Sequence, residues 1–134
     1  MAHLARLIVL CMVVAFSAQA QTKDPVTGVI QSQIDAFLAD DFATAFTYAS
    51  PNIKSIFGSS ERFGQMVRQG FPMVHRPAQV DFLDQVERGG RTFQTVQILD
   101  QNGDRHTLEY EMIPTETGWQ INGVRFLRPP DLGA

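Results

Sequence analysis

The 134-residue sequence contains one cysteine, Cys11, and none after it. No disulfide can therefore form within the chain, and its stability has to come from a packed core. Positive charge is also scarce. Eleven Lys and Arg face fourteen Asp and Glu, for a net charge of −3, and there is no basic run. Nucleic-acid binding, which draws on clustered Lys and Arg, has little to rest on. No Gly-x-Ser-x-Gly elbow and no phosphate-binding glycine loop occur. After Phe16 no apolar run approaches the roughly 20 residues that a membrane span needs.

What is present begins at the N-terminus. Arg6 precedes the uncharged stretch Leu7 to Phe16, and Ser17-Ala18-Gln19-Ala20 follows. A short positive region, an apolar segment too short to span a bilayer, and small residues at Ala18 and Ala20 together predict a secretory signal peptide over residues 1–20, cleaved after Ala20. Lipidation at Cys11 is not expected. The bulky Leu10 precedes it, and it lies within the apolar stretch rather than at its end. The remaining 114 residues, 21–134, are the length of one domain, with a core over about 24–128. Loss of Arg6 takes the net charge to −4. The expected address is the periplasm or the exterior.

Periodicity divides this domain into helices and then strands. Asp24-Pro25 predicts a helix start, followed by Val26, Ile30, Ile34, Phe37 and Leu38 on one face, with Gln31, Gln33, Asp35 and Asp40 away from it. Asp41 caps a second helix bearing Phe42, Ala45, Phe46 and Ala49. Ser50-Pro51 opens a short turn of helix with Ile53, Ile56 and Phe57, stopped by Gly58. Ser59 or Ser60 caps a last helix, with Phe63, Met66 and Val67 facing inward and Gly70 at its end. From Ala78 the period becomes two. Val80, Phe82, Asp84 and Val86 are expected on one strand face, Val96 and Ile98 on the next strand, and Leu108, Tyr110 and Met112 on the third. Gly89-Gly90, Asn102-Gly103 and Thr117-Gly118 mark the turns. Trp119 and Ile121 differ in parity from Val124 and Phe126, so a β-bulge near Gly123 would restore one buried face. The predicted fold class is α+β: helices packed on one face of a four-stranded antiparallel meander, with Phe71 to His75 a candidate fifth strand.

Helices followed by a curved sheet that ends in Gly118-Trp119-Gln120-Ile121-Asn122-Gly123-Val124 resemble the nuclear-transport-factor-two-like superfamily, which includes the ketosteroid isomerases and SnoaL-like proteins. A nearer resemblance is to the bacterial domain-of-unknown-function family numbered 4864. It is carried by Ala45-Phe46-x-Tyr48-Ala49-Ser50-Pro51-x-Ile53, by Phe57-Gly58 with Phe63-x-x-Met66-Val67, and by Trp119 to Val124. The resemblance implies a cone-like sheet whose helices help enclose a pocket. It brings no catalytic residues with it. Because there is little room for a hairpin before Ala78, the cone and its pocket are expected to be reduced.

An isomerase-like site would pair a carboxylate base with a tyrosine donor in a dry pocket. Tyr110 and Asp84 are the candidates by strand parity, and Tyr48, within the family-like helix segment, is a third. Each also has a plain structural explanation: a core tyrosine, an open sheet end, a helical packing aromatic. His75 and His106 have no partner at metal-ligand spacing. Asp100, Asn102, Asp104 and Glu111 mimic a calcium loop, but Arg105 stands where glycine is needed and the flanks alternate as strands. Asp40-Asp41 falls at a helix junction, where capping accounts for it. No metal and no cofactor is expected. The sequence thus predicts an exported module without catalytic machinery that holds a small apolar ligand. A homodimer-forming or envelope-protein-binding module, and an isomerase-like or hydratase-like enzyme, are the alternatives.

Overall fold

The computed structural model describes residues 24–128. The predicted signal peptide and its cleavage point lie outside the described residues. Five helices come first: α1 (Pro25–Leu38), α2 (Phe42–Thr47), α3 (Pro51–Phe57), α4 (Ser60–Gly70) and α5 (Pro72–His75). Four strands follow: β1 (Gln79–Arg88), β2 (Arg91–Leu99), β3 (Arg105–Thr115) and β4 (Gly118–Phe126). They form one antiparallel sheet in the order β1-β2-β3-β4. The segment from Phe71 is the short helix α5, not a strand, because Pro72 at its first position fixes a helical φ.

The helix starts were written in side chains. Asp24 accepts from the Val26 N–H, Asp41 from Thr44, Ser50 from Ile53 and Ser59 from Arg62. Each such cap contributes about 1 kcal/mol. Gly58 closes α3 at φ +76°, a left-handed conformation that suits glycine.

Helix α1 lies on the sheet through Val26, Ile30, Ile34 and Phe37, all buried. Two positions on α1 differ from the expected stripe. Leu38 is exposed and Gln33 is buried. At about 100° per residue Gln33 stands only about 40° from Phe37, whereas Leu38 stands about 100° away. The stripe is therefore centred on the Gln33 side, and a polar residue is drawn into the interior. The sheet answers with Val96 and Ile98 from β2 and Leu108, Tyr110 and Met112 from β3. Phe63 of α4 joins Phe37, Phe46 and Phe57 at ring-centroid distances of 5.9, 5.2 and 5.8 Å.

Two bulges shape the sheet. In β4 the register with β3 shifts between Glu111 and Met112, so Ile121 pairs with Met112 and Val124 with Tyr110. This is the bulge that the parity change at Gly123 predicted, and it keeps Val124 on the inner face. In β1 the register with β2 shifts between Phe82 and Gln85. Phe82 pairs with the buried Val96, but Val86 pairs with Phe93 on the outer face and is exposed. The expected shared face of Val80, Phe82, Asp84 and Val86 is thus broken. Asp84 sits in the bulge itself and is exposed.

Candidate functional site

A cavity of about 240 Å³ lies between the helices and the β3–β4 side of the sheet. Its floor is Tyr110, with Ile121 and Val124 beside it on β4. Phe37 of α1 and Phe63 and Val67 of α4 form the helical wall. Ile53, Met66 and Phe71 also line it and are half-buried. Phe71 is held there by stacking on Phe126, with the ring planes 9° apart and the centroids separated by 5.1 Å.

Only two lining side chains are polar: Gln33 and Tyr110. Gln33 is 3% exposed, and its Nε2 donates to the Ala45 carbonyl at 3.1 Å. That bond fixes the amide orientation and turns Oε1 away from Ala45. Tyr110 is 1% exposed, and its hydroxyl has no hydrogen-bond partner among the described residues. Burial raises its pKa from the ordinary value, so the hydroxyl stays protonated.

The structure separates the three candidate residues. Tyr110 lines the cavity. Asp84 is on the β1 bulge at the far edge of the sheet, two strands from Tyr110, and does not line the cavity. Tyr48 ends α2 half-buried against the core, and its carbonyl accepts from the Ile121 N–H at 2.9 Å. It too is not a lining residue. The residue that sequence reasoning missed is Gln33. Its helical angle to Phe37 was the available signal.

A polar chain fixes the cavity's β4 wall. The Ser50 hydroxyl is buried and donates to Asn122 Oδ1 at 2.7 Å, while accepting from the Ile53 N–H at 3.2 Å. Asn122 Nδ2 donates to Glu111 Oε2, and Arg91 Nη1 to Glu111 Oε1, both at 2.7 Å. Burial alone would raise the Glu111 pKa, but these two bonds outweigh it and hold the carboxyl below its ordinary value. Ser50 is thus more than a helix cap. It ties α3 to the bulge beside the cavity.

The other polar groups are engaged locally. Asp100 accepts from the Asn102 and Asp104 N–H groups and lies 2.8 Å from His106 Nε2, while Glu111 belongs to the chain just described. The residues of the calcium-like pattern therefore do not converge. Asp41 caps α2, but Asp40 does not act as a cap. Standing at φ +54°, it lies 2.8 Å from His75 Nε2 and accepts two bonds from Arg76. The His75 bond is the largest cause of the lowered Asp40 pKa. Among the described residues no group of three or more His, Cys, Asp or Glu is placed to hold a metal ion, and no helix is long and apolar enough to cross a membrane.

Comparison with known proteins places this architecture. A crystal structure of an NTF2-like protein from Campylobacter jejuni, classed by name as a transpeptidase, aligns with a TM-score of 0.54 at 11% identity, covering 75% of this chain and 99% of that one. An NTF2-like protein of unknown function from Burkholderia pseudomallei aligns over 78% of this chain and 91% of its own, at 15% identity and a TM-score of 0.38. At such identities the first likeness shows a shared fold and nothing of activity. No curated protein matches the chain. The family described as "Domain of unknown function (DUF4864)" matches residues 19–134. Helices first, an open antiparallel meander after them, and a family match over most of the length lead to one conclusion: the chain belongs to the DUF4864 family and has an NTF2-like α+β fold.

Proposed function

We propose that the protein is a non-catalytic module that holds one small apolar molecule in the cavity above Tyr110. The observation that carries this reading is the cavity itself: about 240 Å³, walled by phenylalanine and aliphatic side chains. That volume lies between an engineered 150 Å³ cavity that binds benzene and the roughly 300–1,000 Å³ of drug-sized sites. It suits a single substituted ring or a short aliphatic chain. No lining side chain is a carboxylate that could serve Tyr110 as a base partner, which favours binding over proton transfer.

The same reading places the protein outside the cytoplasm after removal of residues 1–20. The positive residue, apolar segment and Ala-x-Ala site support it, and the family match starts at residue 19, beside the cleavage point.

Binding is tested by titrating the protein with butylbenzene and following its melting temperature. A ligand present at 100 times its Kd adds about 2.7 kcal/mol to stability. Val124 is half-buried and lines the cavity. Val124→Trp would fill the space and is expected to remove the shift while leaving the fold intact. A shift that persists in Val124→Trp places the ligand elsewhere and overturns the reading. Export is tested by the N-terminal sequence of protein recovered from the periplasm, expected to begin at Gln21.

A further inference from the structure

Strand β1 lies at the edge of the sheet. It pairs with β2 on one side, and among the described residues no other backbone pairs with it on the other. Helix α1 leaves room beside it: a groove of about 460 Å³ is lined by Gly28, Val29 and Ser32 on the helix and by Phe82 on the strand. Between the charges of Asp81 and Arg88 the strand carries two exposed apolar side chains, Leu83 at 49% and Val86 at 47%. An unpaired edge that is also apolar is a template for another strand.

The pattern along β1 specifies which strand fits. Leu83 and Asp84 together oppose Thr95, so they count as one position of the ladder. Asp81, that shared position, Val86 and Arg88 then lie on the outer face, with Phe82, Gln85 and Glu87 on the inner one. When two identical strands pair antiparallel about a two-fold axis, one position meets its own copy and the others meet in reciprocal pairs. With Gln85 on the axis, Asp81 meets the partner's Arg88, Leu83 meets the partner's Val86, and both contacts occur twice. Shifting the axis one position towards Phe82 sets Asp84 against its own copy, a like-charge contact that opposes pairing. Shifting it to Val86 pairs only Leu83 to Arg88 and leaves Asp81 out. Arg88 has room to reach the partner: its side chain is 59% exposed, and Glu109, 3.5 Å from it, keeps Arg125 at 2.9 Å.

We propose that β1 pairs with β1 of a second copy of this chain, antiparallel about a two-fold axis at Gln85, so that two four-stranded sheets join into one. Each exposed apolar residue then covers another, and Asp81 and Arg88 neutralise each other across the junction. The cavity lies on the β3–β4 side of the sheet, so this surface is independent of the ligand-binding reading.

The test is sedimentation velocity over a wide range of protein concentration. The wild-type protein is expected to pass from monomer to dimer as concentration rises. Arg88→Asp places like charges opposite each other twice and is expected to weaken the dimer about tenfold or more. Asp81→Arg alone should do the same. The two substitutions together should restore the wild-type dimer, because each charge pair is reversed rather than lost. Both positions are exposed, and recovery in the double variant separates lost pairing from lost folding. A wild-type protein that stays monomeric, a dimer indifferent to Arg88→Asp, a double variant no better than either single one, or recovery with Asp84→Arg in place of Asp81→Arg overturns the proposal.

Discussion

The two edge strands each carry a bulge, and the two bulges are built differently. At β1 Leu83 and Asp84 together oppose the single residue Thr95, and the local carbonyls are held by one buried side chain. Gln94 Nε2 lies 3.0 Å from the Leu83 carbonyl and 2.9 Å from that of Thr95, while Gln94 Oε1 accepts from Gln85. At β4 the extra residue is Asn122, and it is held by a chain that runs from Ser50 through Asn122 and Glu111 to Arg91. The first bulge runs from Gln94 through Gln85 to the α1 cap Asp24, whose Oδ2 accepts from Gln85 Nε2 at 2.7 Å. The second joins a helix, both sheet faces and the cavity wall. A bulge whose chain ends on a helix cap anchors the start of α1, away from the cavity. A bulge tied into a four-residue chain positions a site.

That contrast can be broken at either end. The largest effect is expected from Gln94→Leu, which keeps the volume and strips the β1 bulge of its donor. Loss of about 2 kcal/mol is predicted, since the Leu83 and Thr95 carbonyls lose the Gln94 donor, and urea unfolding measures it. Ser50→Ala should cost about 1–2 kcal/mol by removing both a cap and the Asn122 bond. It should also weaken binding of butylbenzene, which Gln94→Leu should not, because only the β4 bulge borders the cavity. A smaller, pH-dependent effect belongs to Glu111. Its folded pKa lies below the ordinary 4.5, so its contribution is present above that value and is lost as pH falls through the lowered one. Glu111→Gln should therefore flatten the fall in stability below about pH 4.5, seen in melting temperatures across an acid series. The smallest effect is expected from Tyr110→Phe, which removes a hydroxyl that has no partner: a change between zero and a gain of about 1 kcal/mol. A clear loss there would show that the hydroxyl is satisfied after all.

The same two bulges show what could be read from sequence. At β4 the apolar residues change parity across Gly123, because the chain needs Ile121 and Val124 on the same face, and the pattern records the irregularity. At β1 the alternation Val80, Phe82, Asp84, Val86 runs on undisturbed, so it concealed a register shift that depends on Gln94, a residue on another strand. Helix starts were legible for a related reason. Asp24, Asp41, Ser50 and Ser59 act within three residues of themselves. The cavity's polar pair was half legible. Tyr110 sits between Leu108 and Met112 on a clean strand face, but Gln33 required a helix phase more accurate than a list of apolar residues provides. The Asp40 contact with His75 and Arg76 spans 35 residues or more, and no local pattern announces it.

The corner between α2 and α3 has one more consequence. Ser50 N–H donates to the Ile121 carbonyl, and Ile121 N–H donates to the Tyr48 carbonyl, which makes a single parallel bridge at the middle of β4. The outward-facing groups of Ile121 are thereby spent, and no foreign strand can run the length of that edge. Among the described residues this leaves β1 as the one long edge open to pairing. A sheet that can grow from one side only can be extended once, by a partner or by a second copy related through a two-fold axis, and then has no edge left to offer. Among the described strands edge-to-edge pairing is thus self-limiting: a pair formed through β1 leaves no second full-length edge to pair.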